Sequence, residues 1–351
     1  MSEPCRWKHR PEGSTWGDYG ADDELGRLNL LTPTKVMEGI REVKTGQNFC
    51  LSLPLDFPGG NVLNPRRHPP ILRPTLRPGR PNFNCVLADD DPNLTDVVND
   101  DVAILHLQYS TQWDSLAHVG QLFDADGDGK PEPRYYNGYQ PGIDILGPTD
   151  LKDAGGIGMV EAKSTSCAKK LGVEKMAETC MQGRAVMIDL HAHVGRDKSV
   201  IGYDDLMRIM DKDKVEVTVG DMVCLHTGFA DVLLEMAKNP DPVRAANSCA
   251  ALNGRDERLL KWITDSGLVA LIADNYAVEA HPALHQAGCC PSLPLHAHCL
   301  FKIGVNLGEI WHLSHLANFL RNEKRSRFLL TAPPLRLPGA VGSPATPVAT
   351  V

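Results

Sequence analysis

Three short apolar runs limit what this chain can fold into: GRAVMIDL at 183–190, GDMVCLHTG at 220–228 and GLVALIADN at 267–275. Each has the length of a strand buried on both faces, with no polar alternation to mark a solvent side. Between them lie YDDLMRIMDK at 203–212 and RDERLLKWITDSG at 255–267. Their apolar residues recur every three or four positions, as on a helix with one buried face, and Gly267 reads as a C-terminal stop. Strands alternating with helices specify an α/β fold. Upstream, TPTKVMEGIREVKTG at 32–46 reads as a helix capped by Thr32, with Pro33 in its first turn and Gly46 as its stop. QNFCLSLPL and DVAILHLQ read as strands, the second buried. No repeat or linker divides the chain, which reads as one domain over 1–351: an N-terminal extension at 1–57, a Pro- and Arg-rich flap at 58–84, and a core at 85–351.

A net charge of −8 argues against nucleic acid or an anionic membrane as partner. No apolar run approaches the ~18 residues of a membrane span. The start, MSEPCRWKHR, lacks the apolar region of a secretory signal, and the ten cysteines show no C-x-x-C spacing. The expectation is a cytoplasmic protein with reduced thiols, acting on a small molecule and assembling as a homo-oligomer.

Chemistry needs titratable residues gathered from distant elements, and three stretches offer them. QYSTQWDSLAHVG at 108–120 supplies Asp114 and His118 behind the end of a strand. DLHAHVGRD supplies His191 and His193, two apart and so on one face if the strand continues. LPLHAHCLFKIGVNLGEIWHLSH supplies His296, His298, Glu309, His312 and His315, with Glu309 and His312 at i, i+3 on a helix. Each also has a plain structural reading: Asp114 as a helix cap, each His as a hydrogen-bonded core residue, Glu309 and His312 as a solvated pair. Asp124, Asp126 and Asp128 copy half of a calcium loop. The twelfth position is Tyr135 rather than Glu, so a tight acidic turn is the better reading. The glycines at 155–158 follow no strand-to-helix pattern, and no nucleotide cofactor is expected.

The first of these stretches resembles the core motif of the cyclase family, metal-dependent hydrolases that include kynurenine formamidase and isatin hydrolase. That motif runs H-x-G-T-H-x-D-x-P-x-H; here Thr111, Asp114 and His118 match, while Gln108, Ser110 and Gln112 stand for two His and the Gly. The segments at 15–33, 183–197, 220–229 and 271–282 are similar to further family segments. LHAHCLFKIGVNLGEIWHL places His296 and Glu309 at the family's C-terminal His and Glu, and PPLRLPGAVGSPATPVA resembles its closing strand.

The resemblance implies a swivelling β/β/α fold and a site for divalent metal, zinc or manganese, that activates water against an amide, formamide or lactone carbonyl. Gln at 108 and 112 is a poorer ligand than imidazole. Asp114, His118, His296 and Glu309 remain, and they suffice either for one divalent ion or for a metal-free relay with His118, His296 and Glu309 as catalytic groups. Gln108, Gln112 and Trp113 are the expected substrate contacts, with Tyr136, Tyr139 and the flap arginines at 66–80 beside them. The leading expectation is a hydrolase of a carbon–nitrogen bond other than a peptide bond, or of a lactone. A metal-independent lyase or cyclase, or a non-catalytic binding protein, would use the same residues.

Overall fold

The computed structural model describes residues 6–149 and 165–351, so the glycines at 155–158 lie outside the described residues. The three apolar runs form adjacent parallel strands at the centre of a nine-stranded sheet. In chain order the strands are β1 (Asn48–Cys50), β2 (Gln112–Asp114), β3 (Gln182–Asp189), β4 (Met222–His226), β5 (Ala270–Ala273), β6 (Asn306–Glu309), β7 (Arg327–Thr331), β8 (Gly342–Pro344) and β9 (Val348–Thr350). Their order across the sheet is β1-β9-β7-β3-β4-β5-β6-β2-β8. β3, β4, β5 and β6 are parallel; the pairs outside them are antiparallel.

Burial on both faces explains the unbroken apolar runs. Val223, Leu225, Leu271 and Ala273 pack with Leu206, Ile209, Leu259 and Ile263 of the helices Tyr203–Asp213 and Glu257–Ser266. Met222, Cys224, Ala270 and Ile272 face the other way, against Leu316 and Leu320 of the helix Ser314–Asn322. The architecture is α/β, as the alternation specifies. Gly267 stops its helix at φ +69°. The helix Pro33–Arg41 packs so close to β3 that a Cβ at Gly39 would come 2.8 Å from the Gly183 backbone. It ends before Gly46, which serves the turn into β1 and donates its N–H to Val351 O. The tail supplies β8 and β9. All nine described cysteines are free thiols. Among the described residues no helix is long and apolar enough to cross a membrane.

Two expectations need correction. DVAILHLQ is not a buried core strand: Asp101–Ile104 pairs with Ile71–Pro74 in a two-stranded ribbon, half of it exposed. The flap therefore reaches beyond residue 84 and is not irregular throughout. It carries two further small ribbons, Leu76–Arg77 with Arg80–Pro81 and Cys85–Val86 with Val97–Val98. Arg77 and Arg80 are held on this ribbon by Asp90, with Asp89 also on Arg80.

Tyr136 and Tyr139 are also misplaced as substrate aromatics. Both are buried in the main core, where they fasten the N-terminal extension: the Tyr139 phenol donates to Asp22 O at 3.0 Å. Asn137 between them sits at φ +56°, a conformation Asn tolerates better than most residues. Its amide nitrogen donates to the carbonyls of Gly20, Ala21 and Asp23 at 3.0–3.1 Å, and its oxygen accepts from Gly17 N at 2.9 Å. Asn137→Ala removes four part-buried hydrogen bonds between the extension and the core and is expected to cost about 1–3 kcal/mol. A urea unfolding midpoint unchanged by the substitution would show that the extension is not clamped there.

Candidate functional site

The site is built where β2 meets β6. Their register pairs Gln112 with Glu309 and Asp114 with Leu307. Alternation along β2 turns Gln112 and Asp114 to one face and Trp113 to the other. Trp113 is fully buried against Trp311, ring centroids 5.0 Å apart, and its indole N–H donates to Ala332 O at 2.7 Å. It is a core residue, not the substrate contact the sequence suggested. Thr111 fixes the approach of three segments: its hydroxyl donates to Ile310 O at 2.6 Å and accepts from Leu53 N at 2.9 Å.

His296 enters from the opposite side. It ends the short turn Pro294–His296, which runs into a π-type turn over Ala297–Lys302, where Ile303 N–H reaches back five residues to His298 O. Its Nδ1 lies 2.8 Å from Glu279 Oε1 and its Nε2 lies 3.1 Å from Glu309 Oε1. Glu309 also accepts from the Gln112 amide at 3.1 Å. Glu279 in turn accepts the backbone N–H groups of Leu295 and His296. The chain reaches Glu279 through two left-handed residues, Ala277 at φ +78° and Val278 at φ +57°. A β-branched residue there costs roughly 1–2 kcal/mol, strain of the kind found at functional sites. Gly254 makes room for the carboxylate, since a Cβ there would stand 2.2 Å from Glu279 Oε2.

Burial alone would depress His296, but hydrogen bonds to Glu279 and Glu309 outweigh it and push its pKa up to about 10. Burial works against the Glu309 charge too; His296, with Arg67 and His118, nevertheless holds it below the usual carboxylate range. Asp114 goes the other way, raised mainly by complete burial. Both of its carboxylate oxygens and the Gln112 Oε1 are buried without a hydrogen-bond partner. One ligand atom from each of Asp114, His296 and Glu309 lies within 4.8 Å of the others. His118 stands at the rim, Nε2 3.8 Å from Asp114 Oδ1, with about 21% of its side chain exposed.

The flap closes over this group. Arg67 donates to Gln108 O at 2.6 Å, and its charge favours ionisation of both Asp114 and Glu309. The Tyr109 phenol accepts from Gly59 N and donates to Gly60 O. Gln108 packs its amide against Gly342, the β8 partner of Asp114.

Several sequence candidates fall elsewhere. β3 stops at Asp189, so His191 and His193 lie in the helical turn His191–Val194 and diverge, His193 to Asp213 at 2.8 Å. Glu309 ends a strand rather than opening a helix. His298 bonds Thr264 at 2.9 Å, while His312 bonds Asp231 at 3.3 Å and packs edge-on against His315. Asp124 accepts from the backbone N–H groups of Gly127, Asp128 and Gly129, a tight acidic turn. His315→Ala should leave turnover within a few-fold of the parent; a loss matching that of His296→Ala would overturn this placement. Glu279 was missed altogether, and within the flap nothing set Arg67 apart from its neighbours.

Residues 51–280 match the model of a family described as putative cyclase. A crystal structure of a novel cyclase is 30% identical, over 96% of this chain and 97% of that one, with a TM-score of 0.69. Isatin hydrolase A from Labrenzia aggregata, bound to benzyl benzoate, is 12% identical over 87% of this chain and 93% of its own, TM-score 0.53. Isatin hydrolase A from Ralstonia solanacearum is also 12% identical, over 86% and 91%, TM-score 0.52. These two likenesses concern the fold alone. No curated protein matches the sequence.

Proposed function

The chain belongs to the cyclase family and has its swivelling β/β/α fold, and on that premise we propose that it is a hydrolase that opens a cyclic amide, a formamide or a lactone with water. One observation carries the reading. Asp114 and Gln112 hold three buried acceptor oxygens with no donor, beside the His296–Glu309 pair. Such groups are rarely left unpaired, and a cation is the partner this set fits. Asp114, His296 and Glu309 would hold one zinc or manganese ion, with Gln112 Oε1 beside them. When bound, the ion would bring the pKa of water toward neutrality and polarise the carbonyl.

The protein's own groups supply the rest. His118, at the open rim beside Asp114, takes a proton from the attacking water. Glu279 fixes the His296 ring through Nδ1, so that Nε2 faces Glu309 and the reacting atoms. Arg67 supplies positive charge for the anion that forms as the carbonyl is attacked and for the carboxylate product. Gln108 lines the approach below Arg67. A cavity of about 330 Å³, lined by Leu63, Phe229, Tyr276 and Glu279 among others, lies on the Glu279 side of His296 and is large enough for a flat ring, though Asp114, His118 and Glu309 do not line it.

The test is elemental analysis after dialysis, then assay of a panel of cyclic amides, formamides and lactones in ¹⁸O water. Metal-dependent turnover with one labelled oxygen in the product supports the proposal. Turnover indifferent to chelator and without label would replace it with the lyase or cyclase reading; no metal and no turnover would favour a binding protein. Gln108→His with Gln112→His should tighten zinc binding, as it adds two imidazoles beside Asp114. A cytoplasmic homo-oligomer belongs to the same proposal. The exposed Leu72, Leu76 and Val97 of the flap ribbons offer apolar contact surface, and light scattering would give the mass.

A further inference from the structure

We infer that Asp189, His191 and His226 form a second metal site, separate from the Asp114 group, for a divalent transition ion of the zinc class. The sheet sets two of the three ligands. Asp189 and His226 are register partners at the carboxyl ends of the adjacent parallel strands β3 and β4, with Asp189 Oδ1 2.8 Å from His226 Nδ1. The helical turn His191–Val194 then brings His191 back over them, its ring centroid 5.2 Å from that of His226. Gly228 permits the approach: a Cβ there would come 2.6 Å from His191 Cδ2. One ligand atom from each residue lies within 4.8 Å of the others. Zinc–ligand bonds of about 2.0–2.2 Å put two donors on one ion roughly 3–3.5 Å apart, so small side-chain rotations close the set.

The surrounding hydrogen bonds leave the right lone pairs free. Ser314 donates its hydroxyl proton to Asp231 Oδ2 at 2.8 Å, so at 3.2 Å from His226 Nε2 it must accept from that nitrogen. Nε2 therefore carries hydrogen, and Nδ1 is the nitrogen turned to Asp189. Asp189 Oδ2 is occupied by Arg321, Nε at 3.0 Å, and Oδ1 accepts the Ala192 N–H at 3.1 Å, so the Oδ1 lone pair now turned to His226 Nδ1 is the one an ion would take. Partners of this kind orient ligands in protein metal sites. His191 has no side-chain hydrogen bond among the described residues. An Asp–His ion pair has no use for a second imidazole, whereas a metal does. Two imidazole nitrogens and one carboxylate suit zinc better than calcium or magnesium. Binding displaces the proton His226 Nδ1 shares with Asp189, and the ion would tie the helix bearing Ser314 to the strand ends.

The test uses the full chain with the first group disabled by Asp114→Asn and Glu309→Gln. After dialysis against zinc, that variant should retain one equivalent and melt at a higher temperature with zinc than with chelator. Adding His191→Ala should weaken zinc binding by at least about tenfold and abolish the thermal gain. In zinc-soaked crystals of the unmodified chain, an anomalous peak is expected among the three side chains. The inference is overturned if the disabled variant retains no zinc, if His191→Ala binds it as tightly as before, or if no peak is seen there. None of these readouts depends on catalysis, so failure of the hydrolase reading would leave them intact.

Discussion

His296→Ala is expected to lower kcat/KM on the hydrolysed substrate by about 10²–10⁴-fold, because losing a ligand forfeits the several kcal/mol a bound ion would supply. It should also destabilise the fold by about 3–5 kcal/mol, because Glu279 and Glu309 are both buried and lose the group that pairs them. The pH dependence identifies the cause. His296 is raised to about 10 in the folded protein, against about 6.5 when unfolded. Its contribution to stability is therefore complete below pH ~6.5 and is lost as pH rises toward ~10. In metal-free protein, urea unfolding across that window should show a decline in the parent that the variant lacks. A variant with parental turnover, or with the same pH slope as the parent, would remove His296 from the centre of the site.

Asp114→Asn should produce the opposite change in stability together with a loss of metal. Burial raises the Asp114 pKa, so above the unfolded value near 3.9 the ionised carboxylate weighs against the folded state. Neither oxygen has a hydrogen bond to offset this. Removing the charge is expected to stabilise chelator-treated protein by about 1–3 kcal/mol at pH 7, within the range seen when poorly compensated buried charges are replaced. The same variant should no longer hold zinc or manganese at the first site through dialysis. Gains from relieving a functional site commonly come with lost activity. A chelator-treated variant less stable than its parent would mean that Asp114 has partners in the fold beyond those described. Undiminished metal at the first site would remove it as a ligand.

The central strands were legible because burial on both faces leaves an unbroken apolar run: β4 and β5 each fall within one, and β3 begins one residue before its run. Asp114, His296 and Glu309 could be placed from their offsets within two motif-bearing segments. Glu279 could not. It stands in AVEAHP, where a carboxylate reads as an ordinary loop residue, and the positive φ values of Ala277 and Val278 that aim it inward have no sequence signal. Trp113 was misjudged because nearness in sequence to Asp114 says nothing about side, and alternation sends it to the opposite face. The reading of His191 and His193 failed for a related reason: period two holds only while the strand lasts, and β3 ends at Asp189. Within the flap, nothing local separates Arg67 from Arg77 and Arg80, since acids brought close by folding decide where each guanidinium goes.

The π-type turn after His296 amounts to a helix with one residue inserted. On its near side His296 is gripped by Glu279 and Glu309; on its far side Phe301 packs edge-on to Trp16, which also donates to the Phe301 carbonyl at 2.8 Å. Removing one residue from 297–302 would rotate one anchor against the other by about 100°. The segment could then satisfy the catalytic histidine or the core, but not both. A library of single-codon deletions should accordingly find this stretch far less forgiving than a library of substitutions does.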